Sequence, residues 1–308
     1  MKNIFLTGGD GYVGRYLIPE LIKESYNLKL LLLGDKRDKF IDSEFIKPIH
    51  GDIRDKDLII KSVAGCNAII HLGAIVGSHD LTNNMEINYE GTKNLIKACN
   101  IHDIKRFIFI SSVSAVRQAQ GPYGKSKKLA EDTVIASGLD YTILRTTTVM
   151  GRESLGLNRI IKNVNRFKHF IPMVGLGYNT RHPVYIADFI SLIKKSIVNK
   201  ITYEKLYEVG GERVIQFREL VQLVNQKLGN KRKIILPIPK SIIRFIAFVL
   251  ERIYSPAPFT REHVNALGED TNMNTNLIKE DLDFQPTPLN DMLNIIIEEI
   301  RMDPPSLL

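Results

Sequence analysis

The sequence of 308 residues contains no tryptophan and only two cysteines, Cys66 and Cys99. Two cysteines cannot supply the several cross-links of a disulfide scaffold, so we expect reduced thiols in a cytoplasmic protein. Neither cysteine lies at metal-ligand spacing from a histidine, and the seven histidines are dispersed along the chain. The sequence therefore predicts no metal site.

The chain also lacks an apolar run of roughly 20 residues, the length that a membrane-spanning helix needs. The first strand-like residues lie almost at the N-terminus, which leaves no room for a signal peptide. The apolar segment 242–253 is too short to span a membrane and is interrupted by Arg244. We predict a buried helix of the second domain there, and a helix lying on a membrane or a partner is the alternative.

Basic tracts with interleaved aromatic residues are also missing, although the formal net charge is +8. The basic residues are scattered, so the charge predicts a solvated lysine-rich surface rather than nucleic-acid binding. A positive charge of this size is also compatible with an anionic ligand such as a nucleotide or a sugar nucleotide.

Glycines are concentrated in the first turn of the chain. The apolar residues Ile4, Phe5 and Leu6 are followed by glycines at positions 8, 11 and 14, and an amphipathic stretch comes next. Glycine lets a dinucleotide pyrophosphate approach the backbone closely, and the amides of the helix N-terminus point at the anion. With a second strand at 28–33, this pattern predicts a dinucleotide-binding β-α-β unit.

Strands and helices alternate through the first half of the chain. Near-continuous apolar strands of this kind predict an α/β fold with a doubly wound, Rossmann-type parallel sheet covered on both faces. We predict a dinucleotide-binding domain at 1–150, joined by elements around 184–200, and a smaller mixed α/β substrate domain at 151–308. The strands are predicted at 3–6, 28–33, 46–50, 68–72, 107–111 and 141–145, and the clearest helices at 85–99 and 123–136.

Three side chains are predicted to meet at the carboxyl edge of this sheet. Ser112 ends a strand, and Tyr123 and Lys127 lie four residues apart on one face of the next helix. An ammonium beside a phenol lowers the phenol pKa from about 10, so Tyr123 could exchange a proton with a substrate hydroxyl or carbonyl. Ser112 could hydrogen-bond the same oxygen, and Lys127 could also hold the ribose of the cofactor.

Taken together, the ordered motifs resemble those of the extended and atypical short-chain dehydrogenase/reductases of the NAD-dependent epimerase/dehydratase family. The resemblance covers essentially the whole chain, and the tail, with Pro237 and Pro239, is similar to the branch that holds the nucleotide-binding accessory subunit of respiratory complex I. The motifs are TGGDGYVG at 7–14, GDIRD at 51–55, HLGA at 71–74, NYEGT at 88–92, SS at 111–112, YGKSK at 123–127 and RTTTVMG at 145–151.

The resemblance implies a role for each matching position. Ser112, Tyr123 and Lys127 would form the catalytic triad, and Asn88 would bend its helix and assist a proton relay. Thr147 and Arg181 would contact the substrate together with Ser112, and Arg181 would bind a phosphate. The implied cofactor contacts fall into groups along the chain. Asp52 and Ile53 would contact the adenine, and Leu72, Gly73 and Ala74 would lie near the ribose. The remaining contacts would be Gly8, Gly11, Tyr12, Val13, Gly14 and Lys127.

Two departures from the family pattern bear on the reaction. The segment between Ser112 and Tyr123 is shorter than in sugar-nucleotide epimerases, which puts the usual sugar contacts in doubt. Val113 and Ser114 stand where 4,6-dehydratases carry an acidic pair. Elimination of water across a sugar is therefore not expected, because it needs that acid and base.

The cofactor type depends on the end of the second strand, where the sequence reads Gly34-Asp35-Lys36-Arg37. A carboxylate there would bind a ribose 2′-hydroxyl and favour NAD, whereas basic residues would bind the 2′-phosphate of NADP. Asp35 favours NAD, and Lys36 and Arg37 favour NADP. We predict NAD(P) with a slight preference for NADP.

The sequence thus predicts an NAD(P)-dependent epimerase or oxidoreductase that acts on a nucleotide sugar or a similar hydroxyl or keto substrate. The alternative is a non-catalytic NADP-binding protein with a structural, assembly or redox-sensing role. Relatives often pair through the helices that carry Asn88 and Tyr123, so a homodimer is also expected.

Overall fold

The computed structural model describes residues 2–33, 43–76, 80–118, 120–254, 261, 264 and 268–304. Its contacts divide the chain into two compact units. The first comprises Met1–Thr146, Ile186–Val209 and Thr275–Phe284, and the second comprises Thr147–Tyr185, Gly210–Asn274 and Gln285–Leu308. The first unit therefore takes up two later segments of the chain.

The strands of the described residues form one large sheet and three small ones. The large sheet has seven parallel strands in the order β11-β6-β5-β4-β1-β2-β3, and it lies in the first unit. The strands are β1 Asn3–Thr7, β2 Asn27–Leu32, β3 Ile46–His50, β4 Ala68–His71, β5 Arg106–Ser112, β6 Asp140–Thr146, β7 Val149–Met150, β8 Phe170–Val174, β9 Thr180–Arg181, β10 Val184–Tyr185, β11 Lys205–Val209, β12 Ile215–Gln216 and β13 Ile234–Ile238.

Helices connect most of these strands, as a parallel sheet requires. They are α1 Tyr12–Lys23, α2 Lys56–Ser62, α3 Leu81–Asn84, α4 Gly91–Ile101, α5 Pro122–Ile135, α6 Leu155–Arg166, α7 Ile186–Val198, α8 Phe217–Lys227, α9 Lys240–Ile253, α10 Asn276–Leu282 and α11 Leu289–Met302. A π-helix, Met85–Glu90, leads into α4, and short 3₁₀ segments lie at Val113–Val116 and Lys200–Thr202. No described helix is long and apolar enough to cross a bilayer.

The core of the first unit forms because its central strands are apolar on both faces. Phe5, Ile69, Phe107 and Phe109 are fully buried, and they pack in one cluster with Leu95 of α4. Their strand order, with β1 between β4 and β2, places the carboxyl ends of β1 and β4 side by side. The glycine turn after β1 and the loop after β4 therefore meet at one edge of the sheet.

The second unit has a separate core built from helices. Leu157, Ile161 and Val164 recur on one face of α6 and are buried with Leu220 of α8 and Leu293 of α11. The spacing of three and four residues is that of an amphipathic helix. Two short parallel strands, β8 and β13, complete this unit beside the helices.

The predicted α/β fold with a doubly wound sheet is confirmed, and the six predicted strands match β1–β6 to within one residue at each end. The prediction did not include β11, which extends the sheet beside β6.

The expectation that residues 242–253 form a buried helix is wrong in one respect. The helix exists as α9, but Ala247 is its only buried residue, and Ile242, Phe245, Ile246 and Ile253 are each at least 45% exposed. The apolar composition of α9 predicted burial. In the described part of the second unit, however, no element packs over this face.

Candidate active site

The turn after β1 is built so that backbone atoms come very close together. Gly8 has φ +71°, and a Cβ atom there would lie 2.6 Å from the amide nitrogen of Gly73. At Gly14 a Cβ atom would lie 2.5 Å or less from the carbonyl oxygens of Gly8 and Gly9. Gly11 caps α1, and its amide donates to the Gly8 carbonyl at 3.1 Å. Gly11, directly before Tyr12 and Val13 at the start of α1, thus carries no side chain that blocks an approaching anion.

A buried histidine holds the neighbouring loop in register with this turn. His71 Nε2 lies 3.1 Å from the Thr92 hydroxyl, which itself donates to the Asn88 carbonyl at 2.6 Å. Since the Thr92 oxygen must then accept, the proton of His71 lies on Nε2, and Nδ1 accepts from the Thr7 hydroxyl at 2.6 Å. The Gly73 amide in turn donates to Thr7 Oγ1 at 3.1 Å.

This chain of hydrogen bonds needs a neutral imidazole. Burial lowers the pKa of His71 well below its usual value, and the charge of Lys127 lowers it further. In the sequence, His71 stands out only as part of the HLGA motif. Its contact with Thr7 could have been predicted, because each residue ends one of two adjacent strands.

A cavity of about 300 Å³ opens beside the glycine turn in the first unit. Five of the predicted cofactor residues meet here, namely Gly8, Asp52, Ile53, Gly73 and Ala74. The other described ones, Gly11, Tyr12, Val13, Gly14, Leu72 and Lys127, are not part of its wall. The wall includes Thr7, Gly8, Asp10, Asp52, Ile53, Gly73 and Ala74. The backbone at Gly8 and Gly73, the acidic Asp52 and the apolar Ile53 suit the pyrophosphate, amino and ring portions of a dinucleotide.

The carboxylate of Asp52 is held by Arg54. The guanidinium donates to it at 2.7 Å, and the Arg54 amide donates at 2.9 Å. These hydrogen bonds lower the pKa of Asp52. Asp52 is therefore an anchored acceptor at the wall of the cavity. The residues that were expected to select NAD or NADP, Asp35, Lys36 and Arg37, lie outside the described residues.

Ser112 and Tyr123 are brought together by β5 and α5. Ser112 is the last residue of β5, and Pro122 at the first position of α5 sets the start of the helix. The Ser112 side chain lies near enough to the Tyr123 phenol to lower its pKa, and Ser112 Oγ accepts from the Ser114 amide at 3.1 Å. The serine and the tyrosine can thus contact the same substrate oxygen.

Lys127 lies one turn further along α5 and is buried. Its ammonium donates to the Ile110 carbonyl at 2.7 Å and lies 3.9 Å from the centre of the Phe109 ring. Burial lowers the pKa of Lys127 to about 7. A cation–π contact and one hydrogen bond do not compensate fully for the lost hydration.

The expectation that Lys127 lowers the pKa of the Tyr123 phenol is wrong for this structure. Burial raises the pKa of Tyr123, and the hydrogen bond from Ser112 offsets only part of that effect. The reason is that Lys127 is directed at the Ile110 carbonyl and is itself desolvated. Spacing on the helix predicted proximity, but only the packing decides the direction of the ammonium.

Asn88 lies within the π-helix, so its helix is distorted at that residue, as the resemblance implied. Its amide oxygen accepts from the Ile75 amide at 2.8 Å, and its amide nitrogen donates to the Ser126 hydroxyl at 3.0 Å. Ser126 in turn donates to the carbonyl of Tyr123 at 2.9 Å. Asn88 therefore connects the loop after β4, at Ile75, to α5, the helix that carries Tyr123.

The two remaining predicted substrate residues lie in the second unit. Thr147 Oγ1 donates to the His182 carbonyl. Arg181 donates to the carbonyls of Thr180 and Glu269, each at 2.8 Å, and lies 5.2 Å from the centre of the Phe217 ring. The Arg181 guanidinium is thus fixed in place by its own chain.

A second cavity, of about 470 Å³, lies within the second unit, and Arg181 lines it. Its wall is mainly apolar, with Ile160, Met173 and Phe217 among its side chains. Arg159 also lines it and has no hydrogen-bond or ion-pair partner within the part of the chain that the structure describes. The sequence analysis did not identify Arg159, because no local motif surrounds it.

Comparisons with known proteins agree with this geometry. The family model for the NAD dependent epimerase/dehydratase family matches residues 4–210. The chain is 28% identical over 300 residues to subunit 9 of the NADH dehydrogenase [ubiquinone] 1 alpha subcomplex, mitochondrial, of Arabidopsis thaliana, which covers 92% of this chain and 74% of the relative.

A second relative and a solved structure extend the comparison. The chain is 26% identical over 269 residues to the decarboxylating sterol-4-alpha-carboxylate 3-dehydrogenase of Dictyostelium discoideum, with 78% of this chain and 81% of the relative covered. The fold is similar to that of the UDP-glucose 4-epimerase of Thermotoga maritima, solved with UDP-glucose. That match has a TM-score of 0.78 and 18% identity, and it covers 97% of this chain and 99% of the other.

Proposed function

Since the chain belongs to the NAD dependent epimerase/dehydratase family, we propose that it is an NAD(P)-dependent epimerase or oxidoreductase. Its substrate is a nucleotide sugar or a similar compound with a hydroxyl or keto group. The observation that carries the proposal is the proximity of Ser112, at the end of β5, to Tyr123, on α5, with Lys127 buried one helical turn away.

The proposed chemistry divides between the cofactor and the chain. The nicotinamide, when bound, supplies hydride transfer to or from a substrate carbon. Tyr123 holds the proton that the substrate oxygen gains or loses, and Ser112 orients that oxygen. Lys127 has a pKa of about 7. It can therefore change its charge near neutral pH, and a ribose hydroxyl could replace the Ile110 carbonyl as its partner.

The cavity of the first unit supports NAD(P) as the cofactor. Gly8, Gly11 and Gly14 would hold the pyrophosphate at the start of α1, where a side chain would collide with the backbone. Asp52 and Ile53 would contact the adenine, and Gly73 and Ala74 would lie near the ribose. The slight preference for NADP rests on Lys36 and Arg37 in the sequence.

The cavity of the second unit is a second candidate binding site. Arg159 is a cation with no described partner beside an apolar wall, which favours a ligand that carries both an anionic group and an apolar or ring portion. A nucleotide sugar has this character, and so does an acidic polycyclic alcohol. The similar proteins include one named for each, the UDP-glucose 4-epimerase and the sterol-4-alpha-carboxylate 3-dehydrogenase. Thr147 and Arg181 would fix the backbone around this ligand.

The proposal is tested by identifying the nucleotide that the purified protein carries and by screening substrates with it. Mass spectrometry of the denatured protein should find NAD(P) that exchanges with added nucleotide. Nucleotide sugars and acidic alcohols should then change the absorbance of the nicotinamide or yield an epimer. Protein that turns over no member of either class would contradict the proposal.

A non-catalytic NADP-binding protein is the second candidate, and one observation favours it. The relative that is 28% identical over 92% of this chain is a subunit of NADH dehydrogenase. This alternative expects a stoichiometric nucleotide that neither exchanges nor changes its redox state with any added substrate. A homodimer, a cytoplasmic location and the absence of nucleic-acid binding remain predictions from the sequence.

A further inference from the structure

The helix α9 presents an apolar face to solvent in the second unit. Ile242, Phe245, Ile246 and Ile253 are 50%, 66%, 45% and 66% exposed. Their spacing of three, four and seven residues places them in one stripe along the helix. Val249, which is half-buried, lies on the same stripe. Single exposed apolar residues are common, but a continuous stripe of this length marks a surface that binds something.

The adjoining face attaches α9 to its unit. Ala247 is fully buried, and Ile243 and Leu250, on the same side of the helix, are partly buried. The exposed stripe is therefore not the face by which α9 packs on its own unit. The helix already has an apolar inner side, and the outer side is apolar as well.

Charge on α9 is almost entirely positive. The helix contains Lys240, Arg244 and Arg252 and one acidic residue, Glu251, which pairs with Arg261 at 2.7 Å. Arg244 and Arg252 are exposed on one flank of the apolar stripe. An apolar face that includes an aromatic residue, with basic residues at its side, is the pattern of a helix that lies in a membrane interface.

The size of the stripe argues against a second copy of the chain as the occupant. A helix of 14 residues is about 21 Å long. One stripe of that length covers far less than the roughly 800 Å² that each partner buries in a stable protein interface. A bilayer needs no matching surface, and an anionic one would attract the arginines.

We propose that α9 is a membrane-docking helix, which inserts Ile242, Phe245, Ile246 and Ile253 into the surface of an anionic lipid bilayer while Arg244 and Arg252 contact the headgroups. The proposal goes beyond the proposed function and does not depend on it. It describes peripheral attachment, because α9 is too short to cross a membrane.

The absence of tryptophan gives a direct test. A Phe245→Trp variant of the full chain carries a single tryptophan on the stripe. Its emission should shift to shorter wavelength with vesicles of phosphatidylglycerol and phosphatidylcholine, and the binding should weaken as salt is raised. Pure phosphatidylcholine vesicles should bind more weakly. No shift with the anionic vesicles would overturn the proposal.

Matched variants separate the stripe from general stickiness, with vesicle co-sedimentation as the readout. Ile246→Asp should weaken binding at least about tenfold, because one isoleucine no longer inserts. Ile135→Asp is its control, because Ile135 at the end of α5 is also an isoleucine with 45% exposure. Arg244→Gln should weaken binding about fivefold. Equal losses for Ile246→Asp and Ile135→Asp would contradict the proposal.

Two further outcomes decide against a membrane. If the Phe245→Trp emission shifts with protein concentration alone, and sedimentation shows a dimer that Ile246→Asp abolishes, the stripe is a protein interface. If vesicles bind the Ile246→Asp variant as well as the parent chain, the attachment lies elsewhere. Thermal unfolding of each variant confirms that exposed positions were changed without loss of the fold.

Discussion

The two units build their cavities from different parts of the chain. The wall of the first unit's cavity includes three glycines next to strand ends, Gly8, Gly51 and Gly73, where backbone is open to a ligand. The cavity of the second unit is formed by side chains from α6, α8 and several short strands, including Arg159 and Phe217. A site that exposes backbone through glycines tolerates few substitutions, because a side chain at those positions would collide with nearby backbone. A side-chain site can be assembled from many combinations of residues.

The same contrast holds for burial. The first unit buries the carboxylate of Glu131, which accepts two hydrogen bonds from Arg145 at 2.6 and 3.0 Å. The second unit leaves the apolar stripe of α9 exposed. We therefore infer that the first unit holds the reacting groups and that the second carries the surfaces on which selectivity and attachment depend.

The largest effect that would test this contrast is expected at Tyr123. Tyr123→Phe keeps the ring but removes the proton, so turnover should fall about 10² to 10⁴-fold. The measurement is kcat on the substrate that the screen identifies. Tyr141→Phe, a change in a partly buried strand residue, is the control and should leave kcat unchanged. Full activity of Tyr123→Phe would remove the tyrosine from the mechanism.

The backbone character of the first cavity is tested by Gly8→Ala. The new Cβ atom would lie 2.6 Å from the Gly73 nitrogen at a residue with φ +71°. We expect a loss of about 2–4 kcal/mol in the free energy of unfolding and a loss of nucleotide binding. Gly138→Ala also has positive φ, but its Cβ atom meets nothing within 4 Å. It should cost only about 1 kcal/mol. Equal losses in the free energy of unfolding for the two variants would show that the close contact between Gly8 and Gly73 is unimportant.

The buried charge of the first unit is tested by Lys127→Met. The pKa of Lys127 is about 7 in the fold and about 10.4 in an unfolded chain, so the unfolded state binds more protons between these values. Stability of the parent chain should rise with pH through this range, and the penalty is complete below pH 7. At pH 6 the variant should gain about 4–5 kcal/mol, and most of the gain should be lost by pH 10.

Denaturant unfolding at pH 6 and pH 9.5, without added nucleotide, measures this gain. Lys125→Met is the matched control, because Lys125 is exposed on the same helix. A pH-independent effect of Lys127→Met, or the same effect from Lys125→Met, would show that the buried charge is not the cause. Loss of turnover together with the gain in stability would fit a residue that is retained for chemistry.

The smallest effect is expected at Arg159 of the second cavity. Arg159→Gln should raise KM about tenfold, with kcat nearly unchanged, because the cation binds an anionic part of the substrate away from the reacting atoms. Arg166→Gln changes another exposed arginine of the same helix, α6, and should leave KM unchanged. A fall in kcat with constant KM would place Arg159 at the reaction itself and weaken the contrast between the two cavities.

The sequence by itself determined the sheet and the glycine turn. The strands of the large sheet have four to seven residues and are mostly apolar, and the glycines at 8, 11 and 14 are required wherever backbone must approach backbone or a phosphate. Ser112 and Tyr123 were also predictable as neighbours, because strand ends and the following helix starts meet at one edge of a parallel sheet. These features depend on local geometry, and a linear sequence records local geometry directly.

Only the tertiary structure decided the rest. The direction of the Lys127 ammonium depends on the Ile110 carbonyl and the Phe109 ring, which lie on a different element. The lack of a partner for Arg159 among the described residues and the exposure of the α9 stripe depend on which distant elements pack nearby. Composition gives the apolarity of a helix such as α9, but exposure is a property of its surroundings, and those are set by contacts between residues far apart in the chain.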